Sequence, residues 1–143
     1  MAGKSNYLAE AVLNHIFGSP TLSKPSTVYV SLHNADPTDA NVTSTEIAST
    51  GGYARASIST GGTYWNTPSS SSGTASTSNK NAVNFPTPTA DWNGGSNITY
   101  AGVYDASTGG NLLYSAALSA ARTVLSTDNA PQIAAGALVI SEA

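Results

Sequence analysis

Residues 27–32 read Thr-Val-Tyr-Val-Ser-Leu, and their alternation of apolar and polar side chains decides the fold class of this chain. Val28, Val30 and Leu32 share one face of the predicted strand, because successive side chains of a strand point to opposite sides. A segment of this kind rests one face on a core and turns the other towards solvent. We therefore interpret residues 27–32 as a half-buried β-strand.

The same period of two returns in later segments that are bounded by turn-forming residues. These segments are residues 53–60, 83–85, 98–104, 112–114 and 124–125, followed by the last strands at 133 and 138–140. Residues 98–104 and 112–114 flank a turn of Asp, Ser, Thr and Gly residues and therefore predict a β-hairpin. Short strands at this spacing are typical of an antiparallel β-sandwich or barrel. With 143 residues, we expect one mostly β domain that spans residues 1–143 and carries one N-terminal α-helix.

Residues 5–17 predict that helix. Ser5 suits the N-cap position, because its hydroxyl can accept a hydrogen bond from an unpaired amide of the first turn. Apolar side chains recur at helical intervals and form one stripe, which comprises Leu8, Val12 and Ile16. We expect Gly18 to take the left-handed position after the helix and Pro20 to prevent its continuation. A helix this short is marginal alone, so the stripe is expected to dock on another surface.

Residues 61–82 interrupt the strand pattern. Gly, Ser, Thr and Asn dominate this segment, and residues 69–72 are four consecutive serines. Two interpretations stay open, a long loop that is tied down at its ends and an extended arm that a partner orders. Tyr64 and Trp65 near its start favour some anchoring.

The composition of the chain excludes several classes of partner. Charged residues make up 9% of the chain, its formal net charge is −3, and it contains five Lys and Arg in total. So few cations exclude the basic surface of a nucleic-acid-binding protein and a polybasic membrane patch. Cysteine is absent, which excludes disulfides, a thiolate nucleophile and Cys-based zinc sites. Ser and Thr, 38 residues together, make the surface polar but uncharged, and we expect neither a nucleic-acid nor a membrane partner.

The standard catalytic and metal-binding motifs are missing. The two histidines, His15 and His33, lie in no H-E-x-x-H pattern, and we interpret both as surface or helix-flank residues. The chain has no G-x-S-x-G elbow and no phosphate-binding glycine motif. Asp36 and Asp39 have the spacing to share a cation, but an ordinary turn is the favoured interpretation. The sequence therefore predicts no catalytic residue, no metal and no cofactor.

Eight residues are candidates for an interface with another subunit. They are Leu8, Val12, Ile16, Tyr53, Arg55, Trp65, Trp92 and Tyr104. The aromatic members have amphipathic rings of the kind common at interfaces, and the alternative is that they cover the sheet and helix of their own chain. Arg55 is one of few charges in a strand context. It either pairs with an acidic residue within or between subunits or is a solvated strand residue, and the sequence favours the second interpretation.

Four motifs occur in a fixed order along the chain. They are A-D-P-T-D at 35–39, G-G-Y-A-R at 51–55, F-P-T-P-T-A-D-W at 85–92 and D-A-S-T-G-G-N-L-L at 105–113. In this combination the chain resembles a family of small structural proteins of tailed bacteriophages, usually labelled tail-fibre-like. The resemblance covers nearly the whole chain. Residues 61–82 depart from it, because they are longer and richer in Ser than the family leads us to expect.

The resemblance implies a non-enzymatic structural component of the virion, made in the cytoplasm of the host bacterium. It implies many copies held by symmetric contacts, as a homo-oligomer that is a trimer or a hexameric ring. The implied partners are other copies of the chain and other virion proteins, either a tail hub or fibre or the major capsid protein. A surface rich in Ser, Thr and Asn suits contacts through backbone pairing and neutral hydrogen bonds.

Three functional hypotheses stay open. The first is a tail-fibre-type or fibre-to-tail attachment subunit, with the helix of residues 5–17 as its docking element. The alternative is a trimeric capsid decoration protein that clamps neighbouring capsid subunits. The third is a glycan-binding module, which needs a carbohydrate cleft around Trp92 or Trp65.

Overall fold

The computed structural model describes residues 3–143, which form ten β-strands and one α-helix. In chain order these are β1 Gly3–Lys4, α1 Asn6–Phe17, β2 Thr27–His33, β3 Ala56–Ser59, β4 Ser69–Ser71, β5 Thr74–Ser78, β6 Val83–Asn84, β7 Ile98–Tyr104, β8 Leu112–Arg122, β9 Gln132–Ile133 and β10 Val139–Glu142. Two short 3-10 turns lie at Thr43–Thr45 and Trp92–Gly95. The predicted mostly β fold with one N-terminal helix is confirmed.

The main sheet has five antiparallel strands in the order β1-β8-β7-β2-β3. The strand predicted from residues 27–32 lies inside it as β2, where Val30 pairs with Val103 on one side and with Ala56 on the other. The predicted hairpin is confirmed as β7 and β8. β8 runs further than the sequence indicates, as far as Arg122, and a register shift interrupts its pairing with β7.

A second layer packs against one face of the main sheet. It consists of the three-stranded sheet β10-β5-β4 and the strand pair β6-β9. The apolar side chains of β2 share one core with side chains of this layer, namely Val83, Phe85 and Ile140. The arrangement is sandwich-like, as the alternating strands predict.

The end of the opposite face of β2 is buried as well. Ser31 and His33 have no exposed surface, although the alternation of residues 27–32 places their side of the strand in solvent. The segment after β2 folds back and pairs through an isolated bridge between His33 and Glu46. The interpretation of residues 27–32 as a half-buried strand therefore holds for Thr27 and Tyr29, which are partly exposed, and fails at Ser31, because a segment remote from the local pattern covers the end of the polar face.

Helix α1 begins as predicted and ends differently. The side chain of Ser5 accepts a hydrogen bond from the Leu8 amide at 3.1 Å, so Ser5 is the N-cap. The prediction of a left-handed Gly18 is wrong, because its φ is −137° and its amide donates to the Asn14 carbonyl at 2.9 Å. The helix thus ends without a left-handed residue.

The segment of residues 61–82, expected as a long loop or arm, contains the hairpin β4–β5. Ser72 and Gly73, both with positive φ, form its turn, and β5 pairs along its length with β10 from the end of the chain. Trp65 forms an isolated bridge with Asn79, which ties down the base of the hairpin. Residues 124–125, predicted as a strand, form none, and the Val124 carbonyl accepts a hydrogen bond from the Trp92 amide at 2.9 Å.

Candidate interaction surface

The last turns of α1 carry the most exposed large apolar side chains among residues 3–143. Leu13, Ile16 and Phe17 are 59%, 61% and 82% exposed. Their spacing of three and four residues places them side by side on one face of the helix. We call these three residues the α1 apolar patch. Clustered, exposed apolar side chains mark a protein interaction site more often than scattered ones do.

The first turn of α1 is fixed to the domain. The Ser5 amide donates to the Leu113 carbonyl of β8, and the Asn6 amide donates to the Asp39 carbonyl, both at 2.9 Å. Leu8 is buried, with 8% of its surface exposed. The helix is therefore anchored at its base and exposed at its tip. Within residues 3–143, no helix combines the length and the apolar character needed to span a membrane.

The predicted helical stripe divides into two parts. Leu8 belongs to the core and Val12 packs against it, whereas Ile16 lies in the α1 apolar patch. Leu13 and Phe17, the exposed neighbours of Ile16, lie beside that stripe on the helix. The stripe thus docks on the domain only through its first half.

Three of the aromatic candidates lie in the interior. Tyr53, Trp92 and Tyr104 are 4%, 1% and 0% exposed. The rings of Tyr53 and Trp92 meet edge to face with centroids 5.2 Å apart, and the indole N–H of Trp92 donates to the Gly51 carbonyl at 2.8 Å. These side chains, like Leu8, are packing residues and offer no surface to a partner in the folded chain. The ring of Trp92 is therefore not accessible to a sugar, and of the two positions that the glycan-binding hypothesis names for its cleft, only Trp65 remains.

Trp65 is half-buried on the flank of the main sheet. Its indole N–H donates to the Ser59 carbonyl at 3.2 Å. The ring lines a cleft of 480 Å³ whose floor is formed by buried apolar side chains, including Val28, Leu113 and Ile140. Trp65 thus packs against the same hydrophobic core as the second layer.

Arg55 makes a within-chain ion pair and is not a solvated strand residue, so the favoured sequence interpretation is wrong. Its side chain is 5% exposed, and its Nη2 and Nε atoms lie 2.6 and 2.8 Å from the two carboxylate oxygens of Glu46. Its Nη1 donates to the carbonyls of Ala106 and Gly109, each at 2.8 Å. The guanidinium also lies over the ring of Tyr104. One side chain therefore joins β3, β7 and the two loops beside them.

The ionisation of this pair follows from its hydrogen bonds. Burial alone raises the pKa of Glu46, but the hydrogen bonds and the charge of Arg55 outweigh it, so the pKa lies below its ordinary value. Burial alone lowers the pKa of Arg55, but Glu46 outweighs it and the pKa is raised. Both groups are therefore charged at neutral pH, and the carboxylate is a strong, bidentate acceptor.

His33 was expected at the surface, and that prediction is wrong. The ring has no exposed surface, and its two nitrogens lie 2.8 Å from Ser31 Oγ and 2.9 Å from Thr45 Oγ1. Burial lowers the pKa of His33 to about 4. Asp36 behaves as the favoured interpretation predicts, because its Oδ1 accepts a turn hydrogen bond from the Thr38 amide at 2.8 Å.

Two structural residues escaped the sequence analysis. Asn79 is fully buried, and its side chain bonds to three backbone groups, those of Asn81, Ala134 and Leu138, at 2.8–2.9 Å. Gly102 lies under His33, where a Cβ atom would come within 2.7 Å of Ser31 Oγ. No local pattern marks either position, because their partners come from distant parts of the chain.

Three of the four motifs lie in loops that are held by hydrogen bonds from side chains. The Gly51 carbonyl of the second motif accepts a hydrogen bond from the indole N–H of Trp92 in the third motif. The carboxylate of Asp91, also in the third motif, accepts a hydrogen bond from the Ser126 amide at 2.8 Å. In the last motif, both Asp105 oxygens bond to Asn111, at 2.7 and 2.8 Å. These motifs thus hold loops in place.

Comparison with known proteins agrees with this structural reading of the motifs. No curated protein matches the chain. A protein-family model described as "Podophage GP4 fiber I protein gp80" matches residues 3–141, which is nearly the whole chain. The match therefore covers both layers of the fold, α1 and all four motifs. The chain belongs to the podophage GP4 fiber I protein gp80 family, a family of phage fibre proteins.

Proposed function

We propose that this chain is a non-enzymatic structural subunit of a tail fibre and that it attaches the fibre to the tail of the phage particle. The observation that carries the proposal is the family match over residues 3–141. Because the match spans the complete fold, the fibre role belongs to this domain as a whole. The motifs that identify the family hold loops in place, which is what a building block requires.

The α1 apolar patch is the proposed docking element. Leu13, Ile16 and Phe17 form one apolar face on a helix whose base is fixed to β8. An amphipathic helix of this kind binds by laying its apolar face into a groove of another protein. Burial of such side chains contributes roughly 25 cal/mol for each Å² of apolar surface removed from water. The proposed occupant of the contact is another protein of the tail.

The uncharged surface supports contacts that depend on shape. With 9% charged residues and a net charge of −3, the chain offers few partners for long-range electrostatic attraction. Association through apolar burial and neutral hydrogen bonds depends weakly on ionic strength. We propose that copies of the chain also associate with one another, as closed symmetric assemblies, because repeated subunits of a particle are arranged in this way.

The test is to count and locate the protein in purified virions. Quantitative mass spectrometry against a labelled standard gives its copy number relative to the major capsid protein. A few to a few dozen copies per particle, labelled at the tail by electron microscopy, is the expected result. Several hundred copies spread over the capsid would contradict the tail proposal and favour a decoration protein instead.

A further inference from the structure

The hydrogen bonds around His33 define which of its nitrogens carries the proton. Thr45 Oγ1 lies 2.9 Å from Nδ1 of His33 and donates its own hydrogen to the Val42 carbonyl at 2.8 Å. Because the hydroxyl has a single hydrogen, it accepts from His33, and Nδ1 is protonated. Nε2 then accepts from the Ser31 hydroxyl at 2.8 Å. Each ring nitrogen therefore has a hydrogen-bond partner when the imidazole is neutral, with Nδ1 as the donor and Nε2 as the acceptor.

Charged and titratable groups surround this imidazole on every side. Glu46 and Asp36 approach from the segment that follows β2, and Arg55 approaches from β3. The Tyr104 ring of β7 stacks on the imidazole, with centroids 6.2 Å apart and an interplanar angle of 11°. The Glu46 carboxylate is already bonded to Arg55 and to the Tyr53 hydroxyl. The negative charge of Glu46 is therefore largely balanced by Arg55, and little of it is left to stabilise a second proton on His33.

The segment held by His33 also supports the base of α1. We call residues 34–47 the latch segment. Its two ends bond to each other and to β2, through Asn34 N–H to the Thr45 carbonyl at 3.0 Å and Ile47 N–H to the Leu32 carbonyl at 3.1 Å. Its middle accepts the Asn6 amide of α1 at the Asp39 carbonyl. The latch segment therefore connects the end of β2 to the first turn of the docking helix.

We propose that His33 and the latch segment form an acid-sensitive latch: neutral His33 holds the segment over the polar face of the sheet, and uptake of a proton at Nε2 releases the segment and with it the Asp39 carbonyl that accepts the Asn6 amide of α1. Protonation removes the acceptor that the Ser31 hydroxyl needs and places a charge on a side chain that has no exposed surface. This inference rests on the geometry of His33 and does not depend on the proposed fibre role.

The direction and size of the effect follow from proton linkage. With the segment released, His33 is hydrated and has its ordinary pKa of 6.5, whereas burial lowers the pKa to about 4 in the closed state. His33 therefore binds a proton more readily when the latch segment is released (the open state) than when it is in place (the closed state). The population of the open state rises as pH falls below 6.5. The rise approaches tenfold for each pH unit and levels off near the closed-state pKa, for a total of roughly 300-fold.

Region-resolved hydrogen exchange of the full chain tests the latch. Amides of Asn34 and Ile47 report on the latch segment, and the amide of Val103 in β7 reports on the core. Between about pH 7 and about pH 4.5, after correction for intrinsic exchange rates, the latch amides should lose roughly 50-fold in protection. The Val103 amide should keep a much larger share of its protection. Equal loss at all three positions would mean global unfolding and would overturn the proposal.

Two variants separate His33 from other acid effects. His33→Gln keeps a donor and an acceptor but does not titrate, so its latch amides should show little change with pH. His15→Gln, on the exposed side of α1, is the matched control and should behave as the unchanged chain does. If His33→Gln does not fold, the ring signals of His33 in the unchanged chain decide by NMR. A closed latch that persists while those signals titrate near pH 6.5 would overturn the proposal.

Discussion

The guanidinium of Arg55 lies over the ring of Tyr104, with Cζ 3.7 Å from the ring centroid. The same side chain forms a bidentate ion pair with Glu46 and donates to the carbonyls of Ala106 and Gly109. Two of the family motifs, those at 51–55 and 105–113, thus meet at one residue. Arg55 thus fixes the loop of residues 105–113 against the start of β3.

Arg55→Met should destabilise the fold. The substitution leaves the Glu46 carboxylate half-buried without its partner, and breaking such a pair on one side costs about 3–5 kcal/mol. Urea denaturation followed by circular dichroism measures the change in unfolding free energy. Arg122→Met, at the exposed end of β8, is the matched control and should change it by less than about 0.5 kcal/mol. Equal losses in the two variants would show that the Arg55 contacts are not stabilising.

Gly102→Ala should destabilise through overpacking. The added Cβ would lie 2.7 Å from Ser31 Oγ and 3.0 Å from Leu112 Cδ1, and both of these side chains are buried. Forcing an atom into a packed core costs about 1–3 kcal/mol. Gly62→Ala is the control, because its Cβ would have no atom within 4 Å. A thermal unfolding midpoint of Gly102→Ala no lower than that of Gly62→Ala would contradict the packing around His33.

Ser5→Ala should loosen α1 at its base. The Ser5 hydroxyl accepts from the Leu8 amide and donates to the Leu112 carbonyl, and the residue is 1% exposed. Loss of an N-cap costs about 1 kcal/mol, and the unpaired buried groups add to it. Faster amide exchange at Leu8, with β7 unchanged, is the expected observation. Ser19→Ala, in the exposed segment after the helix, should leave that exchange rate unaltered.

Ile16→Ser combined with Phe17→Ser should reduce incorporation of the protein into virions without unfolding it. Both side chains are mostly exposed, so their removal costs the isolated domain little stability. Complementation of a phage that lacks the protein, followed by quantitative mass spectrometry, measures incorporation. Tyr64→Ser, an exposed aromatic outside the helix, is the control. Normal incorporation of the double variant would contradict the proposal that the α1 apolar patch is the docking element.

Local periodicity was sufficient for the elements whose partners are near in sequence or whose pattern is complete. It predicted β2, the β7–β8 hairpin and α1 with Ser5 as its cap. It did not predict the β4–β5 hairpin, whose serines show no alternation and whose partner β10 comes from the end of the chain. The burial of Ser31 and His33 was likewise hidden, because the latch segment that covers them is set by tertiary contacts.

The candidate surface was predicted only in part, for a related reason. Amphipathic aromatic rings suit a surface and a core equally well. In the folded chain, those of Tyr53, Trp92 and Tyr104 are buried in the core. The partner of Arg55 is Glu46, which lies outside the strand pattern and could not be found from spacing. Of the eight candidates, Ile16 is the one that the structure leaves mostly exposed, and its role as a contact residue stays a prediction.

Electron cryomicroscopy of the intact phage can locate this fold within the particle. We expect density for the fold on the tail fibres or at their attachment to the tail, with the tip of α1 buried against a neighbouring virion protein. Density for the fold on the capsid surface alone, or on the tail with the tip of α1 facing solvent in every copy, would contradict this expectation.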